Sequence, residues 1–554
     1  MKPSRGSRLQ HELLAHGTTV ATNALLEHNV GRVALVATRG FSDVIEIARQ
    51  ARPSLYDQHV DRSPPLVPRE SRFEVGGRLD GSGSEVEAFD GHVPDIDGVD
   101  AVAVCLLHAD LDSSHERAVA RALVAQGLDV VCSHEVSPEF REYERMVTTV
   151  VDAALRPVCR AYLLGLGSLA SEVLVMTSAG GLVPLEDAVT RPASLLLSGP
   201  VAGVRAAAVV AEACGFPDAV SFDMGGTSTD VCLVRDGAPD PAPALAIAGY
   251  PIRLPAVAVH TIGAGGGSIA RLDNGGALVV GPRSAGARPG PACYGLGGEH
   301  ATVTDADVVL GRIPAETAFA ALGRIDAVAA RRALDGAGVA AEGVVAVVDA
   351  SMERAVRVVT VEQGVDPRDL ALVAFGGAGP LHACGVADAL GMRTVIIPPH
   401  AGVFSAVGLV SAPRRRELVK TWATPASVAG LDGALDTLGR DASAAVGGAE
   451  LVETFVDCRY EGQSHELTVH RPAGFPAEHE RRNGFARPDA PVEVVALRAR
   501  ASRAAPLTVE QLPAVVRPRV KGPEVVIEPD CSVWVPDGWV AEPGALGAWV
   551  MVRA

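Results

Sequence analysis

The sequence contains few aromatic residues and no long apolar run. Aromatic side chains make up 4% of the 554 residues although 48% are hydrophobic, so the protein cores must be built from Val, Ala and Leu. A membrane-spanning helix needs roughly 18 consecutive apolar residues, and no run approaches that length. The first thirty residues also lack a signal-peptide core with a small-residue cleavage site. These absences predict a cytoplasmic protein without a membrane segment.

Positive charge and paired cysteines are also scarce. The 49 Lys and Arg residues are outnumbered by 66 Asp and Glu residues, which gives a formal net charge of -17. This balance argues against a general nucleic-acid binder, because such a protein needs a basic surface. The nine cysteines stand singly without a C-x-x-C pair, a pattern typical of reduced, buried thiols. Cys293 has no His or basic residue beside it in sequence, so we favour a structural thiol over a nucleophile there.

Alternating strand-like and helix-like segments indicate an α/β fold. Residues 33–37, 101–107 and 130–132 are apolar runs typical of buried strands, and residues 115–126 have a helical pattern. Residues 51–98 are rich in Pro, Gly and Asp and predict a loop-rich insertion. A long amphipathic helix is expected over 139–164, where it would link two domains.

A chain of this length exceeds one core, and the pattern divides it into three predicted domains. The first covers residues 1–138 and the second covers residues 139–412. The third, residues 413–554, is expected to be a C-terminal domain that begins with a charged junction at 413–417 and is β-richer after it.

Residues 221–230 carry the most informative motif, Ser-Phe-Asp-Met-Gly-Gly-Thr-Ser-Thr-Asp. The flanking apolar residues predict two strands joined by a tight hairpin. Gly225 and Gly226 let backbone N–H groups approach an anion closely, and Thr227 and Thr229 add hydroxyl donors. Asp223 is suited to hold hydrated Mg²⁺ or to orient a water beside a γ-phosphate. The alternative is an ordinary Gly-Gly turn between two strands.

Two further glycine-rich segments make the simple-turn interpretation weaker. They are Thr-Ile-Gly-Ala-Gly-Gly-Gly-Ser at 261–268 and Ala-Phe-Gly-Gly-Ala-Gly-Pro-Leu-His at 374–382. Each alone is weak evidence in a chain with 59 glycines. Three such loops, each beside an apolar strand-like run, together predict a nucleotide ligand.

A series of motifs in a fixed order makes the chain resemble the hydantoinase A/5-oxoprolinase family. That family includes the acetone carboxylase β subunit and belongs to the actin/sugar kinase/Hsp70-like ATPases. The resemblance covers residues 16–412 and begins with His-Gly-Thr-Thr-Val-Ala-Thr-Asn. The matching segments are 16–26, 142–145, 197–200, 223–230, 261–268, 281–286, 289–295, 304–307, 375–382 and 403–408.

The resemblance implies an ATPase fold of two similar α/β halves that hold ATP and Mg²⁺. The implied activity is ATP-dependent opening of a cyclic amide, such as 5-oxoproline or a hydantoin, through phosphorylation of the amide oxygen. Each half normally begins with a phosphate-binding hairpin, and residues 223–230 match the hairpin of the second half. Residues 375–380 match the glycine motif on the adenosine side. A B-type partner subunit, and hence an oligomer, is also implied.

The chain departs from the family pattern at its front. Family members carry several dozen residues before His-Gly-Thr-Thr, including the first phosphate hairpin, whereas this sequence starts with Met-Lys-Pro-Ser-Arg-Gly-Ser. The expected consequences are a bare edge in the first sheet and the loss of one of two phosphate-binding elements. A misplaced start site and a shortened family member with weakened or lost catalysis are both open explanations.

The resemblance and the motifs together give a set of candidate site residues. Asp223, His382 and Asp305 are the catalytic candidates, and Asp223 with Asp230 is the candidate Mg²⁺ pair. The candidate nucleotide contacts are Gly225, Gly226, Thr227, Thr229, Gly265, Gly266, Gly376, Gly377, Gly379, Thr18 and Thr19.

Several of these residues have an alternative structural explanation. Thr18 and Thr19 precede a predicted helix start, where N–H groups favour an anion, but a plain Thr N-cap fits equally well. Asp305 follows Thr304 in a pattern that also makes a helix cap. His382 at a helix start is either a phosphate contact or acid/base, or a structural histidine.

Two other groups of residues also have both a functional and a structural explanation. Arg283 and Arg288 either hold a substrate carboxylate or are solvated surface residues. The run His108–His115 has an apparent metal-ligand spacing, but we favour a strand end followed by a helix capped by Asp112 or Ser113.

Three functions remain open from the sequence. The first is a cyclic-amide hydrolase subunit, with an acetone carboxylase-like β subunit as a variant of it. The second is a non-catalytic scaffold subunit, favoured by the missing first hairpin. The third is a sugar or small-alcohol kinase, which the His-Gly-Thr-Thr and Gly-Pro-Ala-Cys-Tyr-Gly motifs disfavour.

Overall fold

The computed structural model describes residues 11–57, 59–242, 244–315, 318–319, 323–513 and 515–554. The chain folds into two compact units, each assembled from segments that are distant in sequence. Unit 1 consists of Met1–Ser198, Ala242–Ala256 and Pro413–Ala504, and unit 2 consists of Gly199–Pro241, Val257–Ala412 and Ala505–Ala554.

Unit 1 contains a parallel four-stranded sheet covered on both faces. Its strands, in spatial order, are Arg72–Val75, Val33–Thr38, Ala101–Cys105 and Val130–Cys132. Every residue of Val33–Thr38 is buried, because alternate side chains pack against different helices. Leu35 packs in the cluster of the long helix Glu142–Leu166, and Val36 packs with the helix Ser114–Ala125. A strand buried on both faces is expected to be continuously apolar, as observed.

The second sheet of unit 1 is mixed and recruits strands from the C-terminal part of the chain. Its seven strands, in spatial order, are His11–His16, Ala170–Met176, Leu182–Pro184, Arg414–Thr421, Val492–Arg503, Leu451–Tyr460 and Leu467–Val469. The helices of this unit are Val20–Leu26, Val44–Ile47, Ser114–Ala125, Ser133–Val136, Glu142–Leu166, Leu185–Thr190, Leu431–Ala445 and Phe475–Asn483.

Unit 2 is built on one large mixed sheet whose central strands are parallel. Eight of its strands, in spatial order, are Ala238–Pro239, Thr229–Arg235, Ala219–Met224, Ala371–Phe375, Thr394–Ile397, Trp549–Arg553, Trp539–Pro543 and Val520–Lys521. The ninth strand, His260–Ile262, pairs with Thr229–Arg235. Phe222, Val373 and Ile396 from adjacent strands are buried in one core cluster. This core fixes the ends of the strands that carry the glycine-rich loops.

Helices and short ribbons complete unit 2. Its helices are Ser198–Ala213, Val303–Val309, Ala327–Ala337, Ala341–Val359, Gly379–Leu390 and Phe404–Val410. The helix Ala327–Ala337 shows how local sequence sets its ends: Asp326 accepts hydrogen bonds from the amides of Val328 and Ala329, and Gly338 ends the helix at φ +67°.

Short strands and 3₁₀ turns lie in both units. The short strands are Arg78–Leu79, Glu85–Glu87, Pro241–Ala242, Leu245–Ile247, Tyr250–Ile252, Ala256–Val257, Ser268–Leu272, Leu278–Ser284, Ala318–Phe319, Gly323–Arg324, Glu524–Ile527 and Ser532–Val535. The 3₁₀ turns are Arg69–Ser71, Pro192–Leu195, Ala292–Tyr294, Val361–Gln363, Pro367–Asp369, Ala401–Val403, Pro472–Gly474, Val509–Gln511 and Ala545–Gly547.

The predicted α/β organisation is confirmed at the level of elements. The helix expected over 139–164 is Glu142–Leu166, and the strand expected over 130–132 is Val130–Cys132. The insertion at 51–98 contains only short strands and one 3₁₀ turn among its described residues. The predicted boundaries at 138 and 412 divide the chain into three consecutive segments. Each compact unit instead combines three segments that are distant in sequence. The three-domain division therefore stays a prediction.

Two further properties of the described residues concern the state of the cysteines and the length and apolarity of the helices. All nine cysteines are free thiols, and all except Cys214 are buried. In the described ranges, no helix combines the length and apolarity that membrane crossing requires.

Candidate active site

The predicted hairpin is present at the carboxyl end of a central strand of unit 2. Strands Ala219–Met224 and Thr229–Arg235 pair antiparallel, with Asp223 opposite Asp230. The four intervening residues form a tight loop in which the Gly225 amide donates to the Ser228 carbonyl over 3.0 Å. The hairpin therefore presents two carboxylates side by side below a glycine loop.

The second glycine loop packs directly on the first. The Gly266 amide donates to the Gly225 carbonyl over 3.0 Å, and the Gly267 amide donates to the Gly226 carbonyl over 2.7 Å. A Cβ at Gly265 would lie 2.7 Å from the Thr227 nitrogen. Any side chain at this position would displace the hairpin loop, so glycine is required by the close approach of two backbones.

The third glycine loop reaches the same place from the neighbouring parallel strand. Asp223 and Phe375 are register partners, and the loop begins directly after Phe375. Gly376 has φ +82°, and a Cβ there would overlap the Met224 carbonyl oxygen and lie 2.5 Å from Oδ1 of Asp223. The Ala378 amide donates to the same Met224 carbonyl over 3.0 Å, and the helix Gly379–Leu390 follows. Three loops predicted separately thus converge around Asp223.

The converged loops leave backbone donors available. Among the residues that the structure describes, the amides of Gly226, Thr227 and Gly377 donate to no protein acceptor. Gly226 and Thr227 are exposed, and a Cβ at Gly226 or Gly377 would meet nothing within 4 Å. Open N–H groups without neighbouring side chains form a suitable cradle for an anion.

Thr229 has a different role from the other hairpin residues. Its side chain is buried, and its hydroxyl donates to the Ala264 carbonyl over 2.6 Å. The hydroxyl proton is therefore committed to holding the second glycine loop against the hairpin. In the structure the Thr229 hydroxyl supports the loops, and its predicted contact with nucleotide stays a prediction.

The Asp223 carboxylate is held in an environment that favours its protonated form. Burial, followed by the negative charge of Asp230, raises the pKa of Asp223 to about 7. The Ser405 hydroxyl opposes this shift by donating to Oδ2 of Asp223 over 3.1 Å. Burial also raises the pKa of Asp230, whose carboxylate accepts a hydrogen bond from the Thr261 hydroxyl. Two neighbouring carboxylates that resist ionisation are suited to a divalent cation, which would neutralise both.

Ser405 was missed by sequence reasoning as a site residue. It lies in the helix Phe404–Val410, far from Asp223 in sequence. The only signal was its position inside the 403–408 segment that matches the family pattern, and that segment assigns no role to a particular side chain.

Asp305 is buried in a helix cap, which supports the structural alternative. Its Oδ2 accepts from the Thr302 amide over 3.0 Å, and the Thr302 hydroxyl accepts from the Asp305 amide, which makes a capping box. Its Oδ1 accepts from the Cys293 amide over 2.8 Å. Both carboxylate oxygens are thus occupied by backbone donors. The residue ties the 3₁₀ turn Ala292–Tyr294 to the helix Val303–Val309.

His382 is enclosed in an ion triad. Its Nδ1 donates to Asp349 over 2.7 Å, and its Nε2 lies 3.2 Å from Oδ2 of Asp307. Burial lowers the pKa of His382, but the two carboxylates outweigh this effect and raise the pKa to about 10. The imidazole therefore stays protonated at neutral pH. Neither ring nitrogen faces a glycine-loop amide, and the geometry is that of a structural histidine.

Thr18 and Thr19 lie in unit 1, ahead of the helix Val20–Leu26. The Thr18 hydroxyl accepts a hydrogen bond from the backbone amide of Val20 over 3.1 Å. The side-chain amide of Asn23 donates to the Thr19 hydroxyl over 3.4 Å. Thr19 is at the N-cap position, but its side chain makes no cap hydrogen bond. The contact of these residues with nucleotide stays a prediction.

The remaining candidates take surface or structural positions. Arg283 and Arg288 are exposed, as in the solvated alternative. Burial raises the pKa of Cys293 and the nearby Asp305 adds to this effect, which disfavours a thiolate nucleophile. Asp112 accepts from the Ser114 amide over 2.8 Å at a helix start, as expected of a capping residue.

Two groups of possible metal ligands occur in the described residues, and both have protein partners. In the first group, Glu116 accepts hydrogen bonds from the amides of Leu106 and His134 and from the Ser133 hydroxyl. In the second, Glu528 pairs with Arg517, and Asp530 accepts from the Gly402 amide. These contacts explain both groups as structural.

Comparison with known proteins identifies the family of the chain. Residues 145–418 match the hydantoinase/oxoprolinase family model, and residues 4–127 match the model of the hydantoinase/oxoprolinase N-terminal region. The caprolactamase subunit alpha of Pseudomonas jessenii is 33% identical over 615 aligned positions, which cover 95% of this chain and 88% of the relative. The chain belongs to the hydantoinase/oxoprolinase family. The resemblance inferred from the motifs is therefore confirmed.

Other relatives place this family member among proteins of different lengths. An uncharacterised protein of Methanocaldococcus jannaschii is 35% identical, and the match covers 82% of this chain and 73% of that protein. 5-oxoprolinase 1 of Arabidopsis thaliana is also 35% identical, over 71% of this chain but only 35% of its own length. The chain thus spans about a third of that plant protein.

Solved structures support the predicted fold class. The crystal structure of an ATP-dependent caprolactamase from Pseudomonas jessenii superposes with a TM-score of 0.84 at 30% identity, covering 98% of this chain and 91% of that one. A nucleotide-free acetone carboxylase structure gives a TM-score of 0.74 at 22% identity and covers the same shares. This hydantoinase/oxoprolinase family member therefore has the α/β fold of those ATP-dependent enzymes.

Proposed function

We propose that this chain is the ATP-dependent subunit of a hydrolase that opens a cyclic amide of the 5-oxoproline or hydantoin type. The observation that carries the proposal is the convergence of three glycine loops around Asp223 in unit 2. Membership of a family whose relatives include a caprolactamase and 5-oxoprolinases supports the substrate class.

The proposed nucleotide contacts follow from the open donors. The amides of Gly226 and Thr227 bind phosphate oxygens, while Gly225, Gly265 and Gly266 keep the loops close enough to present those amides. On the adenosine side of the proposed nucleotide site, Gly376, Gly377 and Gly379 let the backbone lie against the base and ribose. The absence of Cβ atoms is essential here, because a phosphate chain needs several N–H groups within hydrogen-bond distance at once.

Asp223 and Asp230 fit the proposed Mg²⁺ site by chemistry and placement. Mg²⁺ prefers carboxylate oxygens and is usually held by one or two of them together with phosphate and water. The two carboxylates are register partners on adjacent strands, and the environment of each disfavours an uncompensated negative charge. Asp223 would hold the cation or orient the attacking group, and Ser405 would fix the carboxylate orientation.

ATP would supply a phosphoryl group that makes the amide oxygen a good leaving group. An amide resists hydrolysis because resonance weakens the electrophilic character of its carbonyl carbon. The protein has to align the substrate oxygen with the γ-phosphate, stabilise charge on the phosphoryl oxygens and exclude competing water. In the proposal the hairpin amides stabilise that charge, and Asp223 provides the alignment.

A partner subunit is part of the proposal. Relatives are named as subunits, including the caprolactamase subunit alpha and an acetophenone carboxylase gamma subunit from Aromatoleum aromaticum. We propose that a B-type subunit completes ring opening after activation, so that activity requires a hetero-oligomer.

The decisive experiment measures Mg·ATP binding first and coupled ring opening second. Calorimetric titration of the chain with Mg·ATP is compared with Asp223→Asn, and with Asp335→Asn as a matched control at an exposed acid of the same unit. The chain combined with its B-type subunit is then supplied with 5-oxoproline, hydantoin or ε-caprolactam, and ATP hydrolysis and ring-opened product are quantified.

The outcomes separate the candidate functions. Binding lost only in Asp223→Asn, with equimolar ADP and ring-opened product, is the expected result. Folded protein that binds no Mg·ATP would contradict the ATPase assignment and favour a scaffold subunit. Phosphorylated sugar, or carboxylated ketone, as the product would replace the cyclic-amide assignment with a kinase or a carboxylase subunit.

A further inference from the structure

A second cavity lies within unit 1, built from segments outside the glycine-loop site. It has a volume of about 120 Å³ and is lined by parts of the long helix Glu142–Leu166, the 3₁₀ turn Pro192–Leu195 and the strand Arg414–Thr421. This is far more than one water needs. Its wall carries four arginines and four carboxylates, which is an unusual density of charge for a mostly buried surface.

Most of these charges have ion-pair partners, some on the wall and some behind it. The Arg253 guanidinium donates to Glu139 over 2.8 Å and to Glu466 over 2.6 Å. Arg416 pairs with Asp187, and Arg500 donates to Glu417 over 3.3 Å. These charged residues therefore have a structural role, because each buried charge already has a partner of opposite sign.

Asp152, on the helix side of the cavity, has a hydrogen bond at only one of its two carboxylate oxygens. Its side chain is fully buried, and Oδ1 accepts a hydrogen bond from the Ala193 amide over 2.9 Å. Oδ2 has no hydrogen-bond donor in the described part of the chain. Oδ2 forms an ion pair with Arg156 of the same helix, whose Nε is 3.7 Å away, beyond hydrogen-bond distance.

Arg156 does not complete the missing hydrogen bond. Its guanidinium donates to Asp129 over 2.7 Å and to the Thr190 carbonyl over 3.0 Å. These bonds orient the group toward other acceptors, and its Nε is itself without a hydrogen-bond partner. A buried carboxylate oxygen that lacks a donor costs free energy unless a ligand or water supplies one.

Arg191 is the complementary exception on the neighbouring turn. It is half-buried and lines the cavity, and within the described residues its guanidinium makes no hydrogen bond or ion pair. It lies two residues before Ala193, whose backbone amide donates a hydrogen bond to Oδ1 of Asp152. Burial raises the pKa of Asp152 to about 6, against the lowering effects of Arg156 and Arg191, so the positive charge of Arg191 acts on Asp152. A negative group and a positive group are thus both incompletely satisfied along one wall.

The rest of the wall is mainly apolar, and the hydroxyls of Ser137, Thr177 and Ser194 donate to backbone carbonyls. Val183 is buried, and Leu254 and Leu418 add partly buried aliphatic surface. A ligand that satisfies the wall needs an N–H donor for Asp152, an acceptor for Arg191 and an aliphatic portion between or beside them. A small neutral molecule such as an amide can offer both a donor and an acceptor but compensates neither charge, and a simple anion or cation compensates only one of the two.

We propose that this cavity binds a small aliphatic amino acid, whose ammonium group donates to Oδ2 of Asp152 and whose carboxylate accepts from the Arg191 guanidinium. Charge-assisted hydrogen bonds of both signs select the zwitterion over either half of it. The site lies in a different unit from the proposed nucleotide site, and this proposal does not depend on ATP chemistry.

The test is calorimetric titration of the full chain with glycine, L-alanine, 4-aminobutanoate and 6-aminohexanoate, in the absence of nucleotide. Acetate and methylammonium serve as the two half-ligands. The variants Asp152→Asn and Arg191→Gln are matched by Asp441→Asn and Arg160→Gln at exposed positions of the same unit. Circular dichroism and Mg·ATP titration of each variant report folding and the separate nucleotide site.

The expected result is binding of at least one amino acid, weakened about ten-fold to a hundred-fold by each cavity variant and unchanged in both controls. Acetate binding, where measurable, should depend on Arg191, and methylammonium binding should depend on Asp152. Arg191→Lys tests the site again with charge retained and should weaken binding less than Arg191→Gln. Folded chain that binds none of the four amino acids, or that binds them equally well in both cavity variants, would overturn the proposal.

Discussion

The Ser405 hydroxyl donates a hydrogen bond to the Asp223 carboxylate over 3.1 Å, although 182 positions separate the two residues in sequence. This bond is the only side-chain contribution in the described residues that lowers the pKa of Asp223 against burial and the charge of Asp230. It also fixes the orientation of a carboxylate whose other oxygen lies beside Gly376. The helix Phe404–Val410 therefore contributes to the candidate active site through one hydroxyl.

Ser405→Ala is expected to reduce kcat for coupled ATP hydrolysis by about ten-fold, because a hydrogen bond to a charged group contributes about 1.5 to 3 kcal/mol. The KM for ATP should change little, since the phosphate-binding amides stay in place. Ser405→Thr retains the hydroxyl and should recover most of the activity. Ser411→Ala, which removes a hydroxyl bonded to the Val407 carbonyl, is the control. Equal losses in the Ala and Thr variants would show that Ser405 acts through packing alone.

Gly376→Ala is expected to destabilise unit 2 and abolish nucleotide binding. The backbone has φ +82°, and the new Cβ would lie 2.5 Å from Oδ1 of Asp223. The backbone strain alone costs about 1 to 3 kcal/mol. The measurement is Tm by differential scanning calorimetry together with Mg·ATP titration. Gly336→Ala, at a helical position where a Cβ meets nothing within 4 Å, should keep or slightly raise Tm.

Asp152→Asn is expected to stabilise the protein at neutral pH and to have little effect under acidic conditions. Burial raises the pKa of Asp152 to about 6 from 3.8. The folded state therefore holds a proton that the unfolded state has lost, and stability from this group falls as pH rises from about 4 to about 6. The amide cannot ionise, so the variant should gain about 2 to 3 kcal/mol above pH 6.

Tm measured between pH 4.5 and 8 checks this expectation. The difference between Asp152→Asn and the parent chain should grow with pH and then level off. A constant difference, or a variant that is less stable at neutral pH, would show that the Ala193 amide and Arg156 compensate the ionised carboxylate fully. Asp441→Asn, at an exposed position, should give no pH-dependent difference.

His382→Gln is expected to destabilise unit 2 strongly at neutral pH. The two flanking carboxylates raise the pKa of His382 to about 10 despite its burial. For a histidine with a raised folded-state pKa, the stabilisation is fully present below about 6.5 and is lost as pH rises through about 10. The substitution removes the positive charge that pairs with Asp307 and Asp349, and the free energy of unfolding should fall by about 3 to 5 kcal/mol.

The measurement is the Tm difference between His382→Gln and the parent chain from pH 6 to pH 10. The difference should be largest near pH 6 and should shrink toward pH 10. The exposed His465→Gln is the control and should show no such trend. Unchanged stability combined with a large loss of kcat would instead restore the acid/base role predicted from the sequence.

The hairpin was predictable because its information is local. The apolar residues on either side of the Gly-Gly pair predict two strands, and these strands are Ala219–Met224 and Thr229–Arg235. Alternating side chains, a Gly-Gly pair and flanking hydroxyl residues specify a turn through neighbours a few positions apart. The long helix Glu142–Leu166 was predictable for the same reason, from its apolar periodicity.

The roles of single polar side chains were less predictable. Asp305 and His382 both follow motifs that suggested chemistry, yet their partners are Cys293 and Thr302 in one case, and Asp307 and Asp349 in the other. Burial and partners decide whether a titratable group is a support or a reactant. Only the tertiary structure supplies those partners, and it equally supplies Ser405 for Asp223.

The sequence by itself determined the elements, the glycine loops and the family, because each of these is encoded by residues close together or by motifs in a fixed order. The tertiary structure decided which distant segments share a unit. Residues 413–504 join unit 1 and residues 505–554 join unit 2, since strand pairing depends on backbone hydrogen bonds that carry almost no sequence signature. The same long-range pairing brought the three glycine loops together at Asp223.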